Sequence, residues 1–93
     1  MLCGSVRFAD AHLAAHRELS FQGHIVLLPA LPNSEDEGEP SGALGHLHLR
    51  KIDLADRVHI INPDGYIGDS TRAEIDYALN SGKPVTYEWM GAQ

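Results

Sequence analysis

The chain has 93 residues, 43% of them hydrophobic and 22% charged, which suits one small globular domain over residues 1–93 with a modest core. A formal net charge of -6 argues against a nucleic-acid polymer as partner, because that role needs a basic face. No apolar run reaches the roughly 20 residues that span a bilayer, and Met1-Leu2-Cys3 is too short for a secretory leader, so a soluble cytoplasmic protein is expected.

Met1 to Cys3 reads as a first strand, brief enough to predict either missing residues before it or a late start. Cys3, the sole cysteine, rules out an internal disulfide and sits in an apolar segment, so a buried structural thiol is expected. Phe8 to Gln22 reads as a helix whose buried face carries Phe8, Ala11, Ala15 and Leu19, with Gly23 as its C-terminal stop. His24 to Leu28 is a run of apolar, branched residues and predicts a strand buried on both faces, ended by Pro29 and Pro32. Asn33 to Gly42 holds Glu35, Asp36, Glu37 and Glu39 and reads as a solvated loop, with a lid over a site as the other reading.

Ala43 to Asp56 predicts a second helix, with Leu44, Leu47, Lys51 and Leu54 along one side and Leu47, Ile52 and Ala55 widening the stripe. Val58 to Asn62 is the next strand, and Pro63-Asp64-Gly65 a turn. Ser70 to Asn80 is the third helix, with Ile75, Ala78 and Leu79 facing in and Gly82 as its cap; Val85 to Glu88 is the last strand. Such alternation predicts an α/β domain with a short parallel sheet of about four strands and right-handed crossovers. Sheets of this kind bind ligands beyond the carboxyl ends of the strands, which selects Gly4 to Arg7, Leu28 to Pro32 and Asn62 to Thr71.

Gly4 lets backbone approach a ligand, Ser5 adds a hydroxyl, Arg7 adds a cation, and the free amides of the helix that follows favour an anion. A plain turn with Ser5 as a cap explains the same residues. Gly65 and Gly68 give freedom to a loop that opens the third helix, where Ser70 and Thr71 set hydroxyls beside free amides. Glu74, one turn into that helix, has two readings: a nucleophilic carboxylate facing the pocket, or the reciprocal partner of the Thr71 amide in a capping box. Of the six histidines, His46 and His48 are two apart and point to different helix faces. His12 and His16 are four apart, but without a third ligand they read as a surface pair, and no metal is expected. His59 reads as a hydrogen-bonded core residue, Asp56 as a turn or cap, and either Asp53 or Asp56 is able to orient a ligand hydroxyl.

Leu2-Cys3-Gly4-Ser5, then Arg50-Lys51-Ile52-Asp53-Leu54-Ala55-Asp56, then Asn62 to Tyr77 resemble the nucleoside 2-deoxyribosyltransferase-like superfamily, which includes the 2'-deoxynucleoside 5'-phosphate N-hydrolases and the cytidine monophosphate hydrolases. The resemblance runs over almost the whole chain and is most specific from Ser70 to Ala78. It implies a flavodoxin-like three-layer domain, assembly as a dimer or larger homo-oligomer, a nucleoside or nucleotide as small-molecule partner, and no cofactor. It also implies cleavage of an N-glycosidic bond, or transfer of the deoxyribosyl group, with Glu74 as nucleophile. Gly4 and Ser5 match a loop that contacts sugar or phosphate, and Ser70 and Thr71 match the phosphate-binding loop; Gly68 and Arg7 extend that set. Active relatives carry an Asp about two helical turns before an Ala-Asp pair. Counting back from Ala55-Asp56 lands near His48 and not on an acid, so either Asp53 substitutes or the role is lost. The first-loop Tyr and the last strand and helix of the superfamily have no counterpart here. The alternatives are a non-catalytic nucleotide-binding module in which Glu74 only caps its helix, and an interaction protein whose glycine loops are only turns.

Overall fold

The computed structural model describes residues 1–31 and 42–91, so the predicted loop up to Ser41 lies almost wholly outside the described residues. The elements are strand β1 (Leu2–Gly4), a short 3-10 turn (Val6–Phe8), helices α1 (Ala9–Phe21) and α2 (Gly42–Leu54), strand β2 (Val58–Ile61), helix α3 (Asp69–Asn80) and strand β3 (Val85–Tyr87). The strands form a three-stranded parallel sheet in the order β1-β2-β3, with Cys3 opposite Ile60 and His59 opposite Thr86.

Successive strand residues face opposite sides of a sheet, and two clusters follow from that. Cys3, Val58 and Ile60 pack with Ile52 of α2 and with Ile75 and Ala78 of α3. Leu2 and Ile61 pack on the other face against Ala15 of α1, with Phe8, Ala11 and Leu19 around them. The result, among the described residues, is an α/β arrangement with helices α2 and α3 on one side of the sheet and helix α1 on the other. No helix among the described residues is long and apolar enough to cross a membrane.

Both predicted glycine stops are present. Gly23 and Gly82 adopt φ of +93° and +76°, and the next residues return their amides to the preceding turn, His24 to Leu19 and Lys83 to Ala78. Lys83 also places its ammonium on the carbonyls of Asp53 and Ala55, where the negative end of α2 favours a cation.

Four expectations are corrected. Leu79 does not face in with Ile75 and Ala78 but is 57% exposed, one residue's turn of the helix away from buried Ala78. His24 to Leu28 is not a strand, and Ile25 in its middle is 94% exposed. The Leu2 amide donates to the Leu27 carbonyl at 2.9 Å, on the side of β1 away from β2. The backbone beyond is taken up by side chains of α2: Lys51 Nζ donates to the Leu28 carbonyl at 2.6 Å, and the Ala30 amide donates to His48 Nε2 at 3.1 Å. Those groups are therefore not spent on a ladder. The buried stripe of α2 runs through His48, Ile52 and then Ala55, and Leu54 is 79% exposed, because the stripe that meets α3 and Cys3 wins over the one beside it, which is at least as apolar. Finally, His12 is not half of a surface pair: it is fully buried, on the same helical stripe as Phe8, Ala15 and Leu19.

Candidate functional site

At the carboxyl end of β1 the backbone of Gly4 lies so close to β2 that an added Cβ would collide with the Ile61 carbonyl and press on the His12 ring. His12 Nδ1 donates to the Phe8 carbonyl at 2.9 Å, which leaves Nε2 as a bare acceptor, buried without a partner among the described residues. Burial holds the His12 ring below the usual imidazole pKa, the Phe8 bond working weakly against it.

Helix α3 opens one residue before the sequence pattern suggests, with Gly68 at its N-cap. Its first internal bond runs from the Arg72 amide to the Gly68 carbonyl, so the amides of Asp69, Ser70 and Thr71 have no acceptor within the helix. Thr71 is buried inside this first turn instead of capping it, and the capping box that would have claimed Glu74 does not form.

The Glu74 carboxylate turns to α2. Its Oε2 lies 3.5 Å from His48 Nδ1, and the two side chains are only 13% and 7% exposed. The Ala30 amide can only donate, so His48 Nε2 must be unprotonated and a neutral His48 carries its proton on Nδ1, the atom toward Glu74. At 3.5 Å this is a contact and not a strong hydrogen bond. Burial pushes the Glu74 carboxyl up to about 7. Burial, and secondarily Lys51, holds His48 below its ordinary value. Both shifts favour uncharged forms, so the pair is a neutral donor beside a reluctant carboxylate and not an ion pair. The Cys3 thiol is raised well above its usual range, first by burial and then by the charge of Glu74, which makes it the inert thiol expected. Three segments thus meet at Glu74: β1 through Cys3, α3, and α2 through His48, whose other ring nitrogen is held by Ala30 of the stretch after Leu28.

Beyond the carboxyl ends of β1 and β2 the loops pack on each other. Ser5 Oγ accepts from the Arg7 amide at 3.4 Å, the cap that the plain reading predicts. The Arg7 guanidinium lies 4.7 Å over the Tyr66 ring, which meets Phe8 edge-on at 5.7 Å, and Gly68 backs onto the same Tyr66. Ser70 is exposed at the opening of α3. Asp53 is not part of this cluster. It lies roughly 140° around α2 from His48, exposed, where its carboxylate accepts from the Tyr77 hydroxyl at 2.7 Å. Sequence reasoning missed Tyr66, Lys51, His12 and the Asn62 amide, which holds the Trp89 backbone by two bonds of 2.9 and 3.1 Å. Of these, His12 carried a signal, its helical spacing from Phe8 and Ala15. No family model, curated protein or solved structure matches this chain.

Proposed function

We propose that the chain cleaves the N-glycosidic bond of a nucleoside or nucleoside 5'-monophosphate, or transfers its deoxyribosyl group, with Glu74 as nucleophile. The observation that carries this reading is that the Glu74 carboxyl is buried and turned to His48 rather than to its own helix backbone. Its oxygen attacks the anomeric carbon, the bond to the base breaks, and a glycosyl ester forms through an oxocarbenium-like transition state. Water or a second base then resolves the ester. His48 Nδ1–H orients the carboxylate. Gly4, Ser5, Arg7, Gly68, Ser70 and Thr71 supply a close backbone, hydroxyls, a cation and first-turn amides without a helix acceptor for sugar and phosphate. No metal or redox cofactor is needed for this chemistry.

The finer fold assignment belongs to the same reading. The stretch around Leu27 lies beside β1 on the side away from β2, so the path of the chain, though not strand pairing, turns back at β1; a flavodoxin-like sheet reverses its strand order at such a point, and ligands bind there. A cytoplasmic homodimer in which a neighbour completes the pocket is part of the proposal.

The test is base release from a panel of ribo- and deoxynucleoside monophosphates, followed by chromatography. Wild type should release one base while Glu74→Gln does not; release by neither, or equally by both, sinks the enzyme reading. The second reading is a nucleotide-binding module without turnover, favoured by the engagement of Asp53 with Tyr77. It predicts a ligand-dependent rise in melting temperature with no product.

A further inference from the structure

A cavity of about 770 Å³ opens at the amino ends of the strands, and neither Glu74 nor His48 is among its walls. Leu19, Val26 and Leu27 give it an apolar side, Asp56 and Arg57 a side with charges of both signs, and His59 and Thr86 a polar one. His59 and Thr86 are register partners on β2 and β3, so both side chains stand on the same face of the sheet. Glu88 is two residues beyond Thr86, and its amide continues the pairing to the Ile60 carbonyl, which brings its side chain to that face as well. The face is α1's, but α1 packs against Leu2 and Ile61 and leaves this region open.

The three side chains form one hydrogen-bonded line. Glu88 Oε2 lies 2.6 Å from His59 Nε2, and Thr86 Oγ1 lies 2.7 Å from His59 Nδ1. An ionised carboxylate only accepts, so Nε2 carries a ring proton, and in the neutral ring Nδ1 is the lone pair to which the Thr86 hydroxyl donates. The polarity of the line is hydroxyl to base to orienting acid, which is the order needed to activate an oxygen nucleophile.

The geometry points to a second, acyl-transfer site, with Thr86 as nucleophile, His59 as general base and Glu88 as its positioning carboxylate, taking esters of short apolar acids. Thr86 Oγ attacks the ester carbonyl carbon as its proton passes to His59 Nδ1. The bond to the leaving oxygen breaks, and that oxygen takes the proton away as the alcohol. Water then gives a proton to Nδ1 and adds to the acyl carbon, the acyl–Oγ bond breaks, and Thr86 recovers its proton from His59. Acid and alcohol leave with no change of oxidation state. The apolar wall accepts the acyl chain, and Arg57 supplies positive charge for the oxyanion and the acid product. The site shares no wall with the Glu74 cluster, so either activity is free to fail alone.

The experiment uses nitrophenyl acetate and nitrophenyl butyrate with the full chain. Released nitrophenolate is followed optically, and the acyl group is located by mass spectrometry of proteolytic peptides. Wild type should carry the acyl group on Thr86. Thr86→Val, which keeps the side-chain shape, should lose the label, and His59→Gln should slow release about 100-fold. Glu88→Gln should slow it less. An acyl group found on a lysine or a histidine instead, or Thr86→Val releasing nitrophenolate within about twofold of wild type, overturns the assignment. Should Thr86→Val fail to fold, the position of the label in wild type decides alone.

Discussion

Replacing Glu74 by Gln removes a charge that the fold resists, and the consequence is a stability change with a defined pH window. The Glu74 carboxyl titrates near 7 in the folded chain against 4.5 ordinarily, with burial as the cause. Between those values the folded protein holds a proton that the unfolded chain has released. Stability from this group is therefore complete below pH 4.5 and is lost as pH rises through about 7. The gap of about 2.5 units sets a ceiling of about 3 kcal/mol. Relaxation and residual solvent at a side chain that is 13% exposed bring the expected value to about 1–2 kcal/mol. A domain of this size holds only roughly 5–10 kcal/mol, so the effect is measurable. Glutamine keeps the shape and never ionises. Urea unfolding should give wild type and Glu74→Gln similar stabilities near about pH 5, and Glu74→Gln the higher stability, by about 1–2 kcal/mol, near about pH 8. His12 and His48 act with the opposite sign, because their lowered pKa values cost stability in acid, but both are present in the two proteins. Parallel pH profiles, or a Gln variant that is weaker at about pH 8, would falsify the account of Glu74 as a buried, uncompensated carboxyl.

Three further outcomes follow from the same geometry. If Glu74 is the nucleophile, kcat/KM for base release should rise as pH passes through about 7, whereas a fall there makes Glu74 a proton donor instead. Gly4→Ala drives a methyl into the Ile61 carbonyl and should cost about 2–3 kcal/mol by thermal or urea unfolding; an unchanged midpoint contradicts the close approach of β1 and β2. Asn62→Ala removes both bonds to the Trp89 backbone and should cost about 2 kcal/mol, with Trp89 emission shifted to the red; an unmoved emission spectrum contradicts the clamp.

The helices and three of the four strand runs are legible because their signals are local. Branched residues from Val58 to Ile61 and the glycine stops at Gly23 and Gly82 each determine their own backbone. The His24–Leu28 run was misread because apolar content says that a segment is buried, not what its amides and carbonyls bond to. Here the carbonyl of Leu28 and the amide of Ala30 answer to Lys51 and His48, about 20 residues further along the chain. A similar limit applies to α2, where the stripe of Leu44, Leu47 and Leu54 is at least as apolar as the buried one beside it. Only the partner surface of Cys3 and Ile75 selects the one through His48 and Ile52. At the site, Glu74 was visible as a residue but its direction was not. Thr71-Arg72-Ala73-Glu74 fits a capping box in sequence, yet the helix begins earlier, at Asp69, and that shift places Thr71 inside the turn and frees the carboxylate.

His48 stood out in the sequence as the place where an acid was expected and none was found. The structure gives that histidine a proton inventory set by its neighbours. The Ala30 amide occupies Nε2, burial opposes a second ring proton, and Nδ1–H is left for Glu74. A carboxylate in the same position would face another carboxylate at short range, and one of the two would have to stay protonated. A cation there would hold Glu74 ionised at every working pH but would also neutralise it. A neutral donor does neither: it orients the carboxylate and leaves its charge exposed to whatever stands in front of it. The amide that fixes this tautomer belongs to the stretch after Leu28, so displacing that stretch would free Nε2 and let the proton move away from Glu74. The tautomer that faces Glu74 is thereby tied to the docking of residues 28–30 on α2, a contact made by side chains rather than by strand pairing.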